Sequence, residues 1–444
     1  MTATTVKPVS GLPLVGNLLD FKRDRLALFL RIAREQGDIG SYSIGRQRFL
    51  FVNSPALAHE ILVTHQSDFD KTDRFRSFAR PLLGNGLLSS DNETNRQYRK
   101  ILAPSFRPGL IEGHVDVMAD RSDRLAAGWQ DGGTVDVQQE MIRLTLWIVG
   151  KSLFDLDVLD EADELGSALT AAIKGFNAQA SAALPLTIGW PTPVNLGYRR
   201  AITRLEQTFY RVLEDRRADP TPHSDWLDML LRARDEDGAP LPDRQIRDEA
   251  LNMFMPGHET TATGLTWTWY LLSQHPEAYR RLQDEVDSVL GGRPVTAADL
   301  ARMPYALQCF KEAMRLYPPV YMFSRQALTD LDIGGVPIAA GTAVIFSPYA
   351  MHRRAESFPD PEVFDPDRFA PEAEAALPRH AYLPFGGGRR ICIGSHYGLM
   401  NGHAVVASLA QTVEFSGPLN GTPVLDPMVT LRPRDGMPMR VRRR

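Results

Sequence analysis

The chain contains only two cysteines, Cys309 and Cys392, in 444 residues. Two thiols exclude a disulfide scaffold and a four-thiolate metal cluster, and they point to a reducing, cytoplasmic setting. Long apolar runs are also missing. No stretch of about 18 apolar residues occurs, so no transmembrane helix is expected. The N-terminal "MTATTVKPVSGLPLVGNLL" lacks the charge, apolar core and cleavage pattern of a signal peptide. A soluble protein with no membrane partner is the expectation. Charge of one sign is lacking as well. Fifty Lys and Arg stand against 54 Asp and Glu, for a net −4, so nothing attracts nucleic acid or an anionic surface in bulk. Internal repeats, low-complexity tracts and long linkers are absent too. Length alone suggests two or three domains, but without a linker the reading is one domain over residues 1–444.

What is present is mostly helical periodicity. Candidate helices are Leu26–Glu35, Pro55–His65, Thr94–Ala103, Leu110–Gly128, Val137–Phe154, Glu161–Gln179, Tyr198–Arg217, Asp243–Ser273, Pro276–Val289, Tyr305–Leu316 and Ser395–Thr412. Strands look few and short. "IGSYSIG" and "QRFLFVN" suggest a hairpin near Gly45, and "DLDIGGVPIAAGTAVIFSP" alternates around glycine turns. The fold class is mainly α with a small β region.

The segment "FGGGRRICIG", Phe385–Gly394, carries the most chemistry. Three successive glycines let a backbone pass close to another group. Cys392 follows, just before a helix expected from Ser395. The positive end of a helix favours thiolate, and Arg390 offers a fork of donors to a carboxylate. Taken alone, a cysteine here reads as a structural thiol in a glycine-rich turn. The spacing adds information. Phe385, Gly388, Arg390, Cys392 and Gly394 fit F-x-x-G-x-R-x-C-x-G at every specified place. This resembles the haem-binding loop of the cytochrome P450 family, in which a cysteine thiolate is the axial ligand of the iron.

The resemblance extends over nearly the whole chain. Its implied fold has a long central helix over a buried haem. It implies haem b (iron protoporphyrin IX) as cofactor, Cys392 as metal ligand and O2 as co-substrate. "EAMR" supplies Glu312 and Arg315 on one helix face, and "FDPDRF" supplies Arg368. In the family these types form a buried structural triad, whose disruption strands a charge at about 3–5 kcal/mol. Arg99, Arg325 and Arg390 match positions that bind haem propionates, and Phe385 and Gly257 complete the implied cofactor contacts. "TNRQYRK" departs from the family's W-x-x-x-R, because Asn95 stands where Trp or His is usual. Past the cysteine, Gly398 and Asn401 replace the usual Ala and Glu at helix-packing positions.

"PGHET", Pro256–Thr260, aligns with the family's [AG]-G-x-[DE]-T except at its first position. Dioxygen activation needs two protons before the O–O bond breaks. Thr260 is the implied alcohol and Glu259 the implied acid. A zinc-protease reading fails, since position 262 is Ala and H-E-x-x-H is incomplete. Pro256 lies inside the helix pattern, where proline costs roughly 3 kcal/mol. The resemblance implies a helix already interrupted there, with the Pro256 carbonyl accepting from the Thr260 hydroxyl.

A monooxygenase acting on a medium-sized hydrophobic small molecule follows, one kind being a secondary metabolite. The apolar stretches Phe75–Leu88, Phe176–Trp190, Met253–Phe254, Val320–Phe323 and Pro427–Val429 are the implied substrate contacts. Arg74, Arg76 and Arg80 read either as a carboxylate anchor or as a solvated loop. An external ferredoxin or flavodoxin with an NAD(P)H-dependent reductase would supply electrons to a monomer, Arg96, Lys100, Arg107 and Arg389 being a docking face or scattered surface charge. Two alternatives stay open: oxidative coupling or rearrangement on the same scaffold, and a non-catalytic haem-thiolate binding or sensing protein.

Overall fold

"IGSYSI" and "QRFLFV" pair as an antiparallel hairpin, Ile39–Ile44 with Gln47–Val52. The two-residue turn opens with Gly45 at φ +58°, the left-handed conformation that such turns require. The computed structural model of the protein describes residues 6–156, 162–181, 188–219, 221, 223, 225–235 and 237–444. The described chain forms two units. One takes the stretch up to Asp73, Leu307–Ser395 and Leu425–Arg432; the other takes Arg74–Ala306, His396–Val424 and Pro433–Arg444.

In the first unit the hairpin belongs to a five-stranded sheet. Its spatial order is Ile39–Ile44, Gln47–Val52, Ala343–Phe346, Phe323–Ala327, Phe69–Asp70. The sheet is buried on both faces, and the two-residue period divides the strand residues between them. Phe49, Phe51, Ala343 and Ile345 pack with Phe29 and Ile32 of the helix Leu18–Gln36. Leu50, Val52, Val344 and Phe346 pack on the other side with Ile61, Leu62 and Leu383.

The second unit is mainly helical. Its longest element is the helix Asp243–Gln274, which packs against Val137–Phe154. The latter begins cleanly because the Asp136 carboxylate accepts from the Gln138 and Gln139 N–H groups, a cap that stabilises by about 1 kcal/mol. Phe154, Phe209, Trp226 and Phe254 meet edge to face, each such pair adding about 0.5–1.5 kcal/mol beyond area burial. This cluster anchors the long helix one turn before Gly257. A three-stranded sheet of Thr134–Asp136, Pro438–Arg443 and Val413–Ser416 completes the unit.

Val137–Phe154 and Ser395–Thr412 match the sequence expectation end to end, and the expected Asp243–Ser273 runs one residue further. Leu110–Gly128 instead divides into Pro108–Glu112 and Val115–Ala127. The helix Asp73–Leu83 was not expected, because Pro81 and three arginines mask its apolar positions Phe75, Phe78, Ala79, Leu82 and Leu83. Residue 161 of the expected helix Glu161–Gln179 and residues 182–187 of the expected substrate stretch Phe176–Trp190 lie outside the described residues.

Candidate active site

The first unit holds the cysteine loop. Gly388 has φ +66°, and a Cβ there would stand 1.6 Å from the Leu62 carbonyl oxygen. No other residue fits, so the third glycine is required by close packing as well as by φ. Arg389 N–H donates to Gln66 Oε1 at 3.0 Å, and Cys392 N–H donates to the Phe385 carbonyl at 3.0 Å. Phe385 and Cys392 thus close the loop on itself. The cysteine is exposed, and a helix starts at Ser395.

Arg390 pairs with Asp70 at 2.9 Å, both side chains buried. Arg325 is buried close by and donates to the Ser324 carbonyl at 2.9 Å. Burial, then the Arg390 charge, brings the Arg325 guanidinium down to about 10, against the pull of Asp70. Lys71 belongs to the same group. Burial, then Arg325 and Arg390, hold its amine well below the ordinary lysine range, with Asp70 and Cys392 acting in the opposite direction. Two guanidinium groups and a lysine amine around Asp70, whose charged forms oppose one another, make a site that gains from added negative charge. Two carboxylates of a bound group would supply it, so the residues present fit haem propionates. Lys71 escaped the sequence reading because a lysine following a short strand looks like surface charge.

Glu312 and Arg315 are fully buried and joined by two bonds, 2.7 and 2.8 Å. Arg315 also donates to the carbonyls of His352, Pro361 and Val363. Arg368 stands 3.6 Å from Glu312, an ion pair without hydrogen-bond geometry, and donates instead to the Asp360 carbonyl. Burial raises the Glu312 carboxyl above its ordinary value, opposed by Arg315, the Asp365 N–H and Arg368. The three expected residues therefore come together, with the Glu–Arg pair as the tight part.

The second unit carries the Pro256–Thr260 stretch. The expected interruption of the long helix is not found: Asp243–Gln274 is continuous through Pro256. The tight packing around Phe254 holds the helical path, and the loss is confined to the N–H that proline lacks. The other half of the expectation is met, since Thr260 Oγ1 donates to the Pro256 carbonyl at 2.8 Å. Thr261, Thr263, Thr266 and Thr268 make the same bond to the residue four before. Glu259 is buried, and Thr260 is half-buried. A Cβ at Gly257 would meet Val149 at 3.7 Å, so its bare face abuts the neighbouring helix. Burial brings the His258 imidazole down to about 4, so it is neutral near pH 7. Its Nδ1 lies 3.0 Å from the Phe254 carbonyl.

Arg99 is half-buried on the helix Asn92–Leu102. Asn95, the departure from the family pattern, is buried and donates to the Leu87 carbonyl at 2.8 Å. Of the expected substrate contacts, Phe75, Phe78 and Phe176 form an edge-to-face series. Phe254 is taken up by the aromatic cluster, and Trp190 is exposed. Arg96, Lys100, Arg107 and Arg389 are all exposed.

The sequence model of the Cytochrome P450 family matches residues 6–437. The chain is a cytochrome P450. Among its relatives is cyclooctatin synthase of Streptomyces melanosporofaciens, 34% identical over 91% of this chain and 88% of that one. Pentalenene oxygenase of Streptomyces avermitilis is 34% identical over 86% and 85%. Cyclooctat-9-en-7-ol 5-monooxygenase, again of Streptomyces melanosporofaciens, is 34% identical over 92% and 89%. Membership makes this P450 a monooxygenase that uses haem iron and O2. Among the described residues, no helix is long and apolar enough to cross a membrane.

Proposed function

We propose that this P450 inserts one oxygen atom into a C–H bond of a cyclic terpene skeleton. The acid–alcohol pair Glu259–Thr260, intact on an unbroken helix, carries the monooxygenase reading. The substrate class is carried by relatives named for pentalenene and cyclooctat-9-en-7-ol at 34% identity, and the Phe75–Phe78–Phe176 series suits a hydrocarbon surface. Residues 1–444 act as one haem domain.

Haem, when bound, supplies the redox chemistry that cleaves dioxygen. Cys392 holds its iron as thiolate. Arg99, Arg325 and Arg390, with Lys71, hold its propionates, and Phe385 and Gly257 contribute to the cofactor's surroundings. Glu312, Arg315 and Arg368 brace the chain between the helix Pro304–Leu316 and the segment that carries Arg368. Thr260 rests its hydroxyl proton on the Pro256 carbonyl and turns from it to hand the proton on. Glu259 replaces that proton, its burial limiting loss to bulk water. Two electrons from an external ferredoxin or flavodoxin and its NAD(P)H-dependent reductase balance the reaction: RH, O2, two electrons and two protons give ROH and water.

Reconstitution with a surrogate ferredoxin and ferredoxin reductase tests this, with pentalenene and cyclooctat-9-en-7-ol as probes. The expected result is a low- to high-spin shift on binding and a product carrying one labelled oxygen from 18O2. A product without the label, or oxidation confined to non-terpenoid probes, would overturn the proposal.

A further inference from the structure

Three helix ends converge on one histidine in the second unit. The helix Val137–Phe154 ends at Asp155, which takes the left-handed conformation at φ +50°. Asp219 follows the helix Pro193–Ala218, and Asp225 caps the helix Trp226–Arg232 by accepting from the Asp228 N–H. His223 stands among them. Its Nε2 lies 2.9 Å from Asp219 Oδ2, and its Nδ1 lies 3.5 Å from Asp155 Oδ2. One ring nitrogen of His223 and one carboxylate oxygen each of Asp155 and Asp225 lie within 4.8 Å of one another.

The surroundings sort the two ring nitrogens. Asp219 is the closer carboxylate and accepts a proton from Nε2, so a neutral ring keeps its lone pair on Nδ1. The Thr221 side chain and N–H, then His223, hold the Asp219 carboxyl down to about 2, so it remains an acceptor. A carboxylate behind the ring and a lone pair in front is how metal-ligating histidines are oriented. The two front carboxylates each spend one oxygen elsewhere. Asp155 Oδ1 pairs with Lys151 at 2.5 Å. Asp225 Oδ1 accepts from Arg216 and from the Asp228 N–H, both at 2.8 Å. Asp225 Oδ2 is 2.7 Å from Arg216 Nη1, yet it is buried and accepts no hydrogen bond, on a side chain 10% exposed. A buried acceptor in that state calls for a further partner.

Distance and charge both suit a divalent ion. Two ligands about 2.05 Å from a tetrahedral ion stand about 3.4 Å apart, close to the 3.5 Å between Nδ1 and Asp155 Oδ2. Three carboxylates face two cations, Lys151 and Arg216, which leaves one negative charge with the ring neutral. Asp155 and Asp219 are exposed, so an ion can enter from solvent.

We propose that His223, Asp155 and Asp225 form a zinc site, with Asp219 orienting the histidine from behind and water completing four ligands. A bound ion pins the stretch that carries His223 to the end of the helix Val137–Phe154. The competing occupant is a proton on Nδ1, which would make His223 a cationic bridge between Asp155 and Asp219.

The test titrates metal-stripped holoenzyme with ZnCl2 by calorimetry, in a non-chelating buffer at about pH 7.5, above the ordinary histidine range. The parent should take up one equivalent in a saturable step, and its Tm should rise by about 3 °C at a hundredfold excess over Kd. His223→Gln should lose the step. Asp219→Ala keeps all three ligands and should weaken it by about 10–100-fold. Equal uptake in the parent and His223→Gln would put the zinc elsewhere and overturn the proposal. No uptake in the parent would overturn it too, in favour of the proton bridge. Asp219→Ala binding as tightly as the parent would refute the orienting role. Should His223→Gln fail to fold, the anomalous signal at the zinc edge from parent crystals soaked in ZnCl2 decides: a peak joining His223, Asp155 and Asp225 supports the site, and its absence refutes it.

Discussion

Replacing Glu249 by glutamine perturbs a carboxyl that burial pushes up to about 8, from an ordinary value near 4.5. The Asp248 charge beside it adds to the rise, while the Leu87 N–H and Gln245 work against it. Between these two values the folded protein holds a proton that the unfolded chain has released. Stability attributable to Glu249 therefore falls as pH rises from about 4.5 and levels off above about 8. Between about pH 5.5 and pH 8.5 the accumulated loss is about 3 kcal/mol. The unfolding entropy of a chain of this length is roughly 0.9 kcal/mol per degree at its midpoint, so the loss is about 3 °C in Tm. Glutamine cannot ionise, and its carbonyl can still accept from Leu87 while the Gln245 amide turns to face the new NH2 group. Thermal scans of parent and Glu249→Gln holoenzyme across that pH range isolate the effect, because other titrations are common to both. The Tm difference should grow steadily in favour of the variant as pH rises. A difference that is flat with pH would show that Glu249 ionises in the fold as it does in water, and the account of its burial would be wrong.

Other substitutions probe the remaining parts of the site. Cys392→Ser should abolish the reduced-CO band that gives the family its name; a retained band would remove Cys392 as ligand. Thr260→Ala should divert reducing equivalents to hydrogen peroxide during NAD(P)H-driven turnover, and unchanged coupling of electrons to product would count against its proton role. Arg315→Met leaves the Glu312 carboxylate buried without its main partner. The expected cost is about 3–5 kcal/mol, read as a lowered Tm; a Tm equal to the parent's would mean that Glu312 takes up a proton at no cost.

The parts of the site that are legible in sequence are those whose residues lie close together along the chain. Phe385 to Gly394 and Pro256 to Thr260 each place backbone and side chains within one loop or one turn, so spacing reports geometry directly. Arg390 and Asp70 are 320 positions apart, and Leu87 and Glu249 are 162 apart. No periodicity links such pairs, so spacing along the chain does not report their contact. Asn95 shows the same limit from the other side. Set against a family pattern, it is a departure from the usual Trp or His, whereas in the fold its amide donates to the Leu87 carbonyl.

Pro256 and the loop glycines carry the physical lesson furthest. A helix propensity counts the proline as a break, because it charges the missing N–H and the ring clash against an isolated helix. In the fold, Phe254 is clamped among Phe154, Phe209 and His258, and the helix keeps its path. The proline carbonyl then serves as the resting place of the Thr260 hydroxyl. Gly84 adopts the positive φ that turns ask for. Its deeper requirement is the Asp248 carboxyl occupying the space where a side chain would be. Alanine at Gly84 would thus meet two penalties, one from φ and one from the carboxyl, and only the first could be foreseen without knowing what the loop rests on.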